Sequence, residues 1–274
     1  MNKVRFHYNY PISVDIDTDK QVDVYIDKFE FSPLPENVIR IIILEEPKKE
    51  ELFTIVMKNK DLYTHLLTFH DVLLASNSKA RLFLPMAAWV KNYVSKQKEF
   101  SVSTVVGGKK DSAMFGYALR HGVWKCRECI TIPRKFYLSG NAKAAHVFKP
   151  WREVSYANEL VLGVSKEPLF DSMFHIAIEN TSIKNYFSEK LLDCFQSRTV
   201  PIYWGCQNIG DYFNIDGIFV ARNGQEIINI CNKLTLDVYN QMLPAMEDNY
   251  QRSLKWCDHQ EQIKNKVIEI INEL

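Results

Sequence analysis

The sequence has no segment that approaches the run of about 18 to 20 apolar residues that a membrane-spanning helix needs. It has no basic and then apolar leader with a cleavage site at its start, and no repeat or low-complexity segment. Its six cysteines are scattered through 274 residues, a distribution typical of free thiols in a reducing compartment. We therefore expect a globular protein of the cytoplasm, with no membrane span and no disulfides.

Charge is distributed unevenly along the chain, although the formal net charge is only +1. Residues 1–90 carry −2, residues 91–152 carry +10 and residues 153–274 carry −7. The central segment combines 13 lysines and arginines with nine aromatic residues. Such a segment is typical of a surface that binds an anion, whether a diphosphate or a longer polyanion. An ordinary solvated basic surface explains the same composition equally well.

Short β-branched runs alternate with longer helix-like stretches, which predicts parallel α/β structure. Residues 38–44 form a nearly unbroken apolar run, typical of a strand that is buried on both faces. The same patterns predict strands at 100–106, 173–178 and 199–204 and helices at 153–162, 188–196 and 250–274.

The composition turns polar and rich in lysine over residues 91–100, which indicates a boundary between domains. We predict an N-terminal domain over residues 1–95 and a C-terminal domain over residues 96–250. Both are expected to be doubly wound and to face each other across a cleft. A final helix over residues 251–274 is expected to pack back against the first domain.

The segment from Phe174 to Lys190 places a strand, a turn and the start of a helix in succession. Ligands of open α/β sheets bind beyond the carboxyl ends of the strands. Ser188 can cap the helix, whose first turn offers backbone N–H groups and a positive dipole end to a diphosphate. Lys190 adds a positive charge there, and Glu189 can accept hydrogen bonds from ribose hydroxyls. A carboxylate at position 189 would also favour the helix dipole without binding any ligand.

The same segment, followed by Thr199–Gly205, resembles the donor-binding signature of the α1,3-fucosyltransferase family, glycosyltransferase family 10. The pair Glu179-Asn180, Tyr186 and the pair Glu189-Lys190 stand at the family's spacing. The run Val-Pro-Ile-Tyr-Trp-Gly that ends at Gly205 matches the family nearly letter for letter. The resemblance covers residues 100–225, whereas the first 95 residues are similar only loosely.

The resemblance implies a GT-B fold, in which two Rossmann-like domains face a cleft and the second holds most of the donor. It implies an inverting transfer that needs no metal ion and no other cofactor. In the family, an arginine on the first helix of the donor domain also reaches the diphosphate, and Arg120 is the best match. Lys109 or Lys110 could take that role instead. The donor-binding residues are then Arg120, Lys110, Glu179, Asn180, Tyr186, Ser188, Glu189 and Lys190.

The family takes its catalytic base from a glutamate in a short turn that follows a buried strand of the N-terminal domain. The matching turn here is Leu44-Glu45-Glu46-Pro47, so the resemblance implies Glu46 as the base, with Glu45 as second choice. Two solvated carboxylates at the end of a strand would give the same pattern.

Two other patterns are weaker than they look. Asp15, Asp17 and Asp19 alternate, but the glycine and glutamate of a calcium loop are missing from the following positions. Cys126 and Cys129 form one pair without a second pair at zinc spacing. We predict no metal site.

The sequence is compatible with two classes of acceptor, a glycan and DNA. The family favours transfer of fucose from a GDP-linked donor to a hydroxyl on a glycan, in a bacterial cytoplasm. The basic and aromatic residues of segment 91–152 favour DNA instead. A viral enzyme of the host cytoplasm would then transfer glucose, arabinose or a similar sugar, from a GDP- or UDP-linked donor, to hydroxymethylated cytosine. A catalytically inactive sugar-binding module is the third possibility.

Overall fold

Two units make up the chain in the computed structural model, which describes residues 2–47, 50–109, 113–140 and 160–273. Unit 1 consists of Met1–Ala87, Lys184–Tyr186 and Asp258–Leu274. Unit 2 consists of Ala88–Ile183 and Phe187–Cys257. The boundaries predicted at residues 95 and 250 both fall inside unit 2.

Strands and helices alternate through most of the described chain. The strands are β1 (Asn2–Lys3), β2 (Arg5–His7), β3 (Asp17–Thr18), β4 (Gln21–Ile26), β5 (Val38–Leu44), β6 (His65–Thr68), β7 (Ala80–Leu82), β8 (Glu99–Val106), β9 (Arg134–Ser139), β10 (Leu160–Leu162), β11 (Ser172–Ile178), β12 (Val200–Trp204) and β13 (Phe219–Val220). The helices are α1 (Glu50–Lys58), α2 (Asp71–Ser76), α3 (Phe115–Lys125), α4 (Glu189–Gln196), α5 (Gly224–Cys231), α6 (Leu236–Ser253) and α7 (His259–Asn272).

Unit 1 is built on a five-stranded sheet in the order β2-β4-β5-β6-β7, and every pair of neighbours is parallel. Strand β5 lies at its centre, and all seven of its residues are buried. This confirms the doubly buried strand predicted at residues 38–44. A parallel sheet brings the carboxyl ends of its strands to one edge, so the residues after β4, β5 and β6 meet there.

Helix α7 packs against the sheet of unit 1, as the sequence predicts for the end of the chain. Its apolar face supplies Ile263, Val267 and Ile270 to a core that also contains Val24 of β4 and Ile41 of β5. All five of these side chains are fully buried. At roughly 1.5 to 3 kcal/mol for each buried aliphatic side chain, this contact stabilises unit 1 substantially.

Unit 2 contains a six-stranded sheet in the order β10-β9-β8-β11-β12-β13, again with every neighbouring pair parallel. Strands β8 and β11 lie at its centre, and β11 leads into α4 through a turn. Both units are therefore the parallel α/β structures that the alternation of elements predicts. No described helix is both long enough and apolar enough to cross a bilayer.

Two predicted helices are corrected by the structure. The end of the helix predicted at 153–162 is strand β10, which pairs with β9, and residues 153–159 lie outside the described residues. The long final helix is two helices, α6 and α7. Asp258 separates them, because its side chain accepts the backbone N–H of Glu261 and so caps a new helix.

Candidate active site

A buried carboxylate joins the end of β11 to the start of α4. Glu179 follows the strand directly and has no solvent-exposed surface. Its two oxygens accept hydrogen bonds from the backbone N–H of Ser188 at 2.8 Å and from the Ser188 hydroxyl at 2.6 Å. The Ser188 oxygen in turn accepts the backbone N–H of Lys190 and caps the helix. The predicted residues Glu179, Ser188 and Lys190 thus form one connected cluster.

Lys190 lies between two carboxylates in this cluster. Its Nζ is 3.0 Å from Glu189 Oε1 and 3.7 Å from Glu179 Oε2. Burial acts to lower the pKa of Lys190, but the two carboxylates outweigh burial and raise it. For Glu189, burial acts to raise the pKa, yet Lys190 and Lys166 lower it to about 2. Lys190 is therefore a cation and Glu189 an anion at neutral pH.

Helix α3 approaches the end of β11 closely enough to add a second cation. The backbone N–H of Gly116 donates to the carbonyl oxygen of Asn180 at 3.0 Å, and Arg120 Nη2 donates to the Asn180 side-chain oxygen at 2.5 Å. Only glycine permits this approach, because a Cβ atom at position 116 would lie 1.8 Å from the carbonyl oxygen of Glu179. The predicted pair Arg120 and Asn180 are in direct contact.

A cavity of about 300 Å³ lies at the carboxyl edge of the sheet of unit 2. This is the edge at which parallel sheets bind ligands, and the volume falls at the lower end of small-molecule sites. The strands around it contribute His175 and otherwise small or apolar residues, and the charged side chains come from outside the sheet. The lining of the cavity includes Gly107, Ser139, Leu162, Ile178, Arg120, Lys166, Glu189 and Lys190.

Lys166 is a third cation of this cavity, and the sequence analysis missed it. Its Nζ lies 3.5 Å from Glu189 Oε1 and 3.4 Å from Asp193 Oδ2, and 3.8 Å from the centre of the Trp89 ring. Burial raises the pKa of Asp193 to about 6, although Lys166 opposes the shift. Lys166 precedes a short turn of helix and belongs to no recognisable motif, so only the fold identifies it.

The contacts described so far do not include three residues that the sequence predicts for donor binding. Tyr186 belongs to unit 1, where its ring packs 5.4 Å from that of Phe69. The residues that line the cavity of unit 2 do not include Tyr186. Lys109 is exposed, and Lys110 lies outside the described residues.

The carboxyl edge of the sheet of unit 1 carries acidic groups instead. Asp27, after β4, accepts the backbone N–H of Glu45 at 3.0 Å and also that of Glu46. Burial raises the pKa of Asp27 to about 6, assisted by the neighbouring carboxylates of Glu45 and Glu46. Asp27 thus holds the turn that contains both candidate bases.

The two candidate bases differ in their surroundings. The Glu45 side chain is 12% exposed, and its oxygens contact Tyr8 OH at 3.1 Å and His259 Nε2 at 2.7 Å. Glu46 is exposed on the same turn. A group that must meet a substrate in one geometry benefits from being held by neighbours, which favours Glu45 over the first choice of the sequence analysis.

Much of the basic central segment makes contacts within unit 2. Lys98 Nζ donates to the carbonyl oxygen of Phe170 at 2.7 Å, and Lys135 Nζ lies 2.7 Å from Glu99 Oε2. Arg134 pairs with Glu128. The remaining lysines of the described part of this segment are exposed, and four basic residues lie outside the described residues, at positions 110, 143, 149 and 152. These internal pairings reduce the positive surface that a nucleic acid could use.

The residues discounted as metal ligands have other surroundings. Asp15 pairs with Lys3, and Cys126 and Cys129 are exposed thiols just after α3. Among the described residues, no group of three or more His, Cys, Asp or Glu side chains has an arrangement suited to a metal ion.

Residues 164–270 match the model of the glycosyltransferase family 10 (fucosyltransferase) C-terminal domain. The C-terminal half of the chain resembles family 10. This confirms the resemblance predicted from the motifs, and the match contains Lys166, Glu179, Glu189 and Lys190. It does not extend to Arg120.

Sequence similarity to individual family 10 proteins is confined to a short segment. An α-(1,3)-fucosyltransferase of Helicobacter pylori is 42% identical over 41 residues, which are 15% of this chain and 9% of that protein. An α-(1,4)-fucosyltransferase of Arabidopsis thaliana is 46% identical over 39 residues, or 14% and 10%. The matched part thus spans about a tenth of each curated relative.

The fold extends the likeness to most of the chain. An α1,3-fucosyltransferase solved with GDP-fucose superimposes with a TM-score of 0.56 at 15% identity, covering 93% of this chain and 78% of that one. The chain therefore has the GT-B fold of glycosyltransferases, as the resemblance implies.

Proposed function

We propose that this protein is an inverting glycosyltransferase that moves a sugar from a nucleoside-diphosphate donor to a hydroxyl group of a glycan. The likeness to family 10 and to a fucosyltransferase solved with GDP-fucose favours fucose and GDP. The position of the Lys190 ammonium supports the proposal most strongly. It lies at the positive end of α4, against a cavity at the carboxyl edge of a parallel sheet.

The donor diphosphate would bind at the first turn of α4. There the helix dipole, Lys190 and Arg120 all favour negative charge, with Lys110 as a further candidate. Glu189 and Asn180 would hydrogen-bond the sugar and ribose hydroxyls. Glu179 is fully buried, so it would act on the donor indirectly, by holding Ser188 and Lys190 in place.

The transfer itself needs a base for the acceptor hydroxyl and cations for the departing diphosphate. Glu45 is the base that the geometry favours, with Glu46 as the alternative on the same turn. Glu45 takes the acceptor proton while the acceptor oxygen attacks the anomeric carbon from the face opposite the diphosphate. Lys190 and Arg120 neutralise the charge that develops on the leaving group. This scheme needs no metal ion and no other cofactor.

Nucleotide binding tests the proposal directly. A ligand at 100 times its Kd stabilises the folded state by about 2.7 kcal/mol, so GDP should raise the melting temperature by several degrees. UDP tests whether the donor carries uracil instead of guanine. Guanosine is a matched control because it lacks the diphosphate. The release of GDP from GDP-fucose in the presence of glycan acceptors then measures turnover. If neither GDP nor UDP raises the melting temperature above the guanosine control, the donor site is wrong.

A further inference from the structure

The first residue of the final helix contacts the proposed base. His259 begins α7, and its Nε2 lies 2.7 Å from Glu45 Oε1 within unit 1. The two residues are 214 positions apart in the chain. Helix α7 therefore does more than cover the sheet, because it also brings an imidazole to the edge that carries the carboxylates.

Both oxygens of Glu45 have a partner with a defined role. An ionised carboxylate can only accept hydrogen bonds, so Nε2 of His259 donates to Oε1 and the Tyr8 hydroxyl donates to Oε2 at 3.1 Å. Burial, followed by the Glu45 charge, raises the pKa of Tyr8, so its phenol stays protonated. The Tyr8 and His259 rings lie nearly parallel, 6.3 Å apart between centroids and 22° between planes.

The start of α7 is held at several neighbouring positions. Asp258 caps the helix, and the side chain of Gln260 accepts the backbone N–H of Ser13 at 3.0 Å. The side chain of Gln262 donates to the carbonyl oxygen of Met86 at 2.8 Å. These contacts lie within the first turn of α7 and belong to unit 1. These contacts anchor the start of α7, and with it the backbone of His259, to unit 1.

We propose that His259 is the positioning residue for the catalytic base Glu45, an inference that rests on the proposed transferase function. The hydrogen bond to Oε1 orients the carboxylate so that Oε2 receives the acceptor proton. In that step the acceptor O–H bond breaks, the new glycosidic bond forms, and the diphosphate leaves with the electron pair of its bond to the anomeric carbon. The proton stays on Oε2, and the Tyr8 hydroxyl, which donates to Oε2 beforehand, then accepts a hydrogen bond from the new carboxylic acid O–H.

Two substitutions of His259 separate positioning from packing. His259→Gln keeps an N–H donor at similar reach, whereas His259→Leu removes the donor at comparable volume. Asn265→Leu, at an exposed position of the same helix, is the control. The readout is the release of GDP from GDP-fucose, with the glycan acceptor on which the unchanged protein is fastest. We expect His259→Leu to lower kcat roughly 10- to 100-fold with the KM for GDP-fucose unchanged. We expect His259→Gln and Asn265→Leu to stay within about threefold of the unchanged protein.

The inference is overturned if His259→Leu turns over at the unchanged rate, or if the Gln variant is as slow as the Leu variant. A second measurement does not depend on activity. Proton–nitrogen NMR of the full chain should show His259 protonated at Nε2, with a resonance that moves in Glu45→Gln. A bare Nε2 would refute the contact. Failure of the transferase proposal looks different, since GDP and UDP would then leave the melting temperature unchanged while the NMR signal persists.

Discussion

The two units have sheets of the same kind but opposite charge at the edge where ligands bind. Unit 2 presents Lys190 and Arg120 beside its cavity, while unit 1 presents Asp27, Glu45 and Glu46. One parallel topology thus carries opposite charges in the two units, because the loops after the strands decide the charge and the sheet does not. A cationic edge suits a departing diphosphate, and an acidic edge suits the removal of a proton.

Replacement of a carboxylate by an amide in unit 1 has the largest expected effect on turnover. Glu45→Gln should lower turnover by about 10²- to 10⁴-fold, the usual contribution of a general base, while the GDP-induced rise in melting temperature persists. Glu46→Gln, on the same turn, is the matched control and should retain most activity. If the Glu46 variant loses activity and the Glu45 variant does not, the base is Glu46, and the hydrogen bonds of Glu45 do not mark the base.

Removal of the central cation in unit 2 should impair stability and GDP binding, both of which the substitutions in unit 1 leave largely intact. Lys190→Met leaves Glu179 without its ammonium partner and leaves Glu189 with Lys166 alone. We expect a loss of about 3 kcal/mol in the free energy of unfolding, at the low end for a buried pair, because 23% of the Lys190 side chain is exposed. The GDP-induced shift should disappear as well. Urea unfolding with and without GDP measures both.

The exposed Lys233 of unit 2 provides the control for this change. Lys233→Met should alter the free energy of unfolding by no more than about 0.5 kcal/mol and should bind GDP normally. If GDP still raised the melting temperature of Lys190→Met, the cationic edge of unit 2 would not be the site that binds the diphosphate.

The close approach of α3 to β11 can be tested by adding one methyl group. Gly116→Ala places a Cβ atom 1.8 Å from the carbonyl oxygen of Glu179, so α3 must move. We expect a loss of about 1 to 3 kcal/mol in the free energy of unfolding, together with weaker GDP binding. Gly122→Ala on the same helix meets nothing within 4 Å and should stabilise by about 0.5 to 1 kcal/mol. Equal effects of the two changes would contradict the tight contact.

The last prediction concerns the pH dependence of stability and the buried His175 beside the cavity of unit 2. Burial, with Lys166 and Lys98 contributing, lowers the pKa of His175 from 6.5 to about 3. Below pH 6.5 the unfolded chain therefore binds a proton that the folded protein excludes. The free energy of unfolding should fall by about 1.4 kcal/mol per pH unit from this group as the pH drops from 6.5 towards 3.

His175→Gln removes this contribution without removing the others. Asp27 and Asp193, with pKa values raised to about 6, act in the opposite sense because the folded protein binds their protons more tightly. The difference between the unchanged protein and His175→Gln, measured by urea unfolding from pH 7.5 to pH 5, isolates the histidine. If the difference did not change with pH, His175 would bind a proton as readily in the folded protein as in the unfolded chain.

Local patterns predicted the elements whose causes are local. The apolar run at residues 38–44 forms strand β5, and its own composition explains why it is buried on both faces of the sheet. Ser188 starts α4 because a hydroxyl at this position satisfies a backbone N–H of the first turn. The helix predicted near residues 153–162 ends in a strand because Leu160–Leu162 pairs with β9, and periodicity carries no information about a distant partner.

The residues of the candidate site also include some that are close together in the sequence and others that only the fold brings together. By itself, the sequence determined the parallel α/β class, the resemblance to family 10 and the cluster around Lys190, because that cluster is built within a dozen residues. Only the tertiary structure brought Lys166 to Glu189, Tyr186 to Phe69 and His259 to Glu45. Those contacts join residues far apart in the chain, and their geometry depends on how strands and helices pack rather than on any local preference.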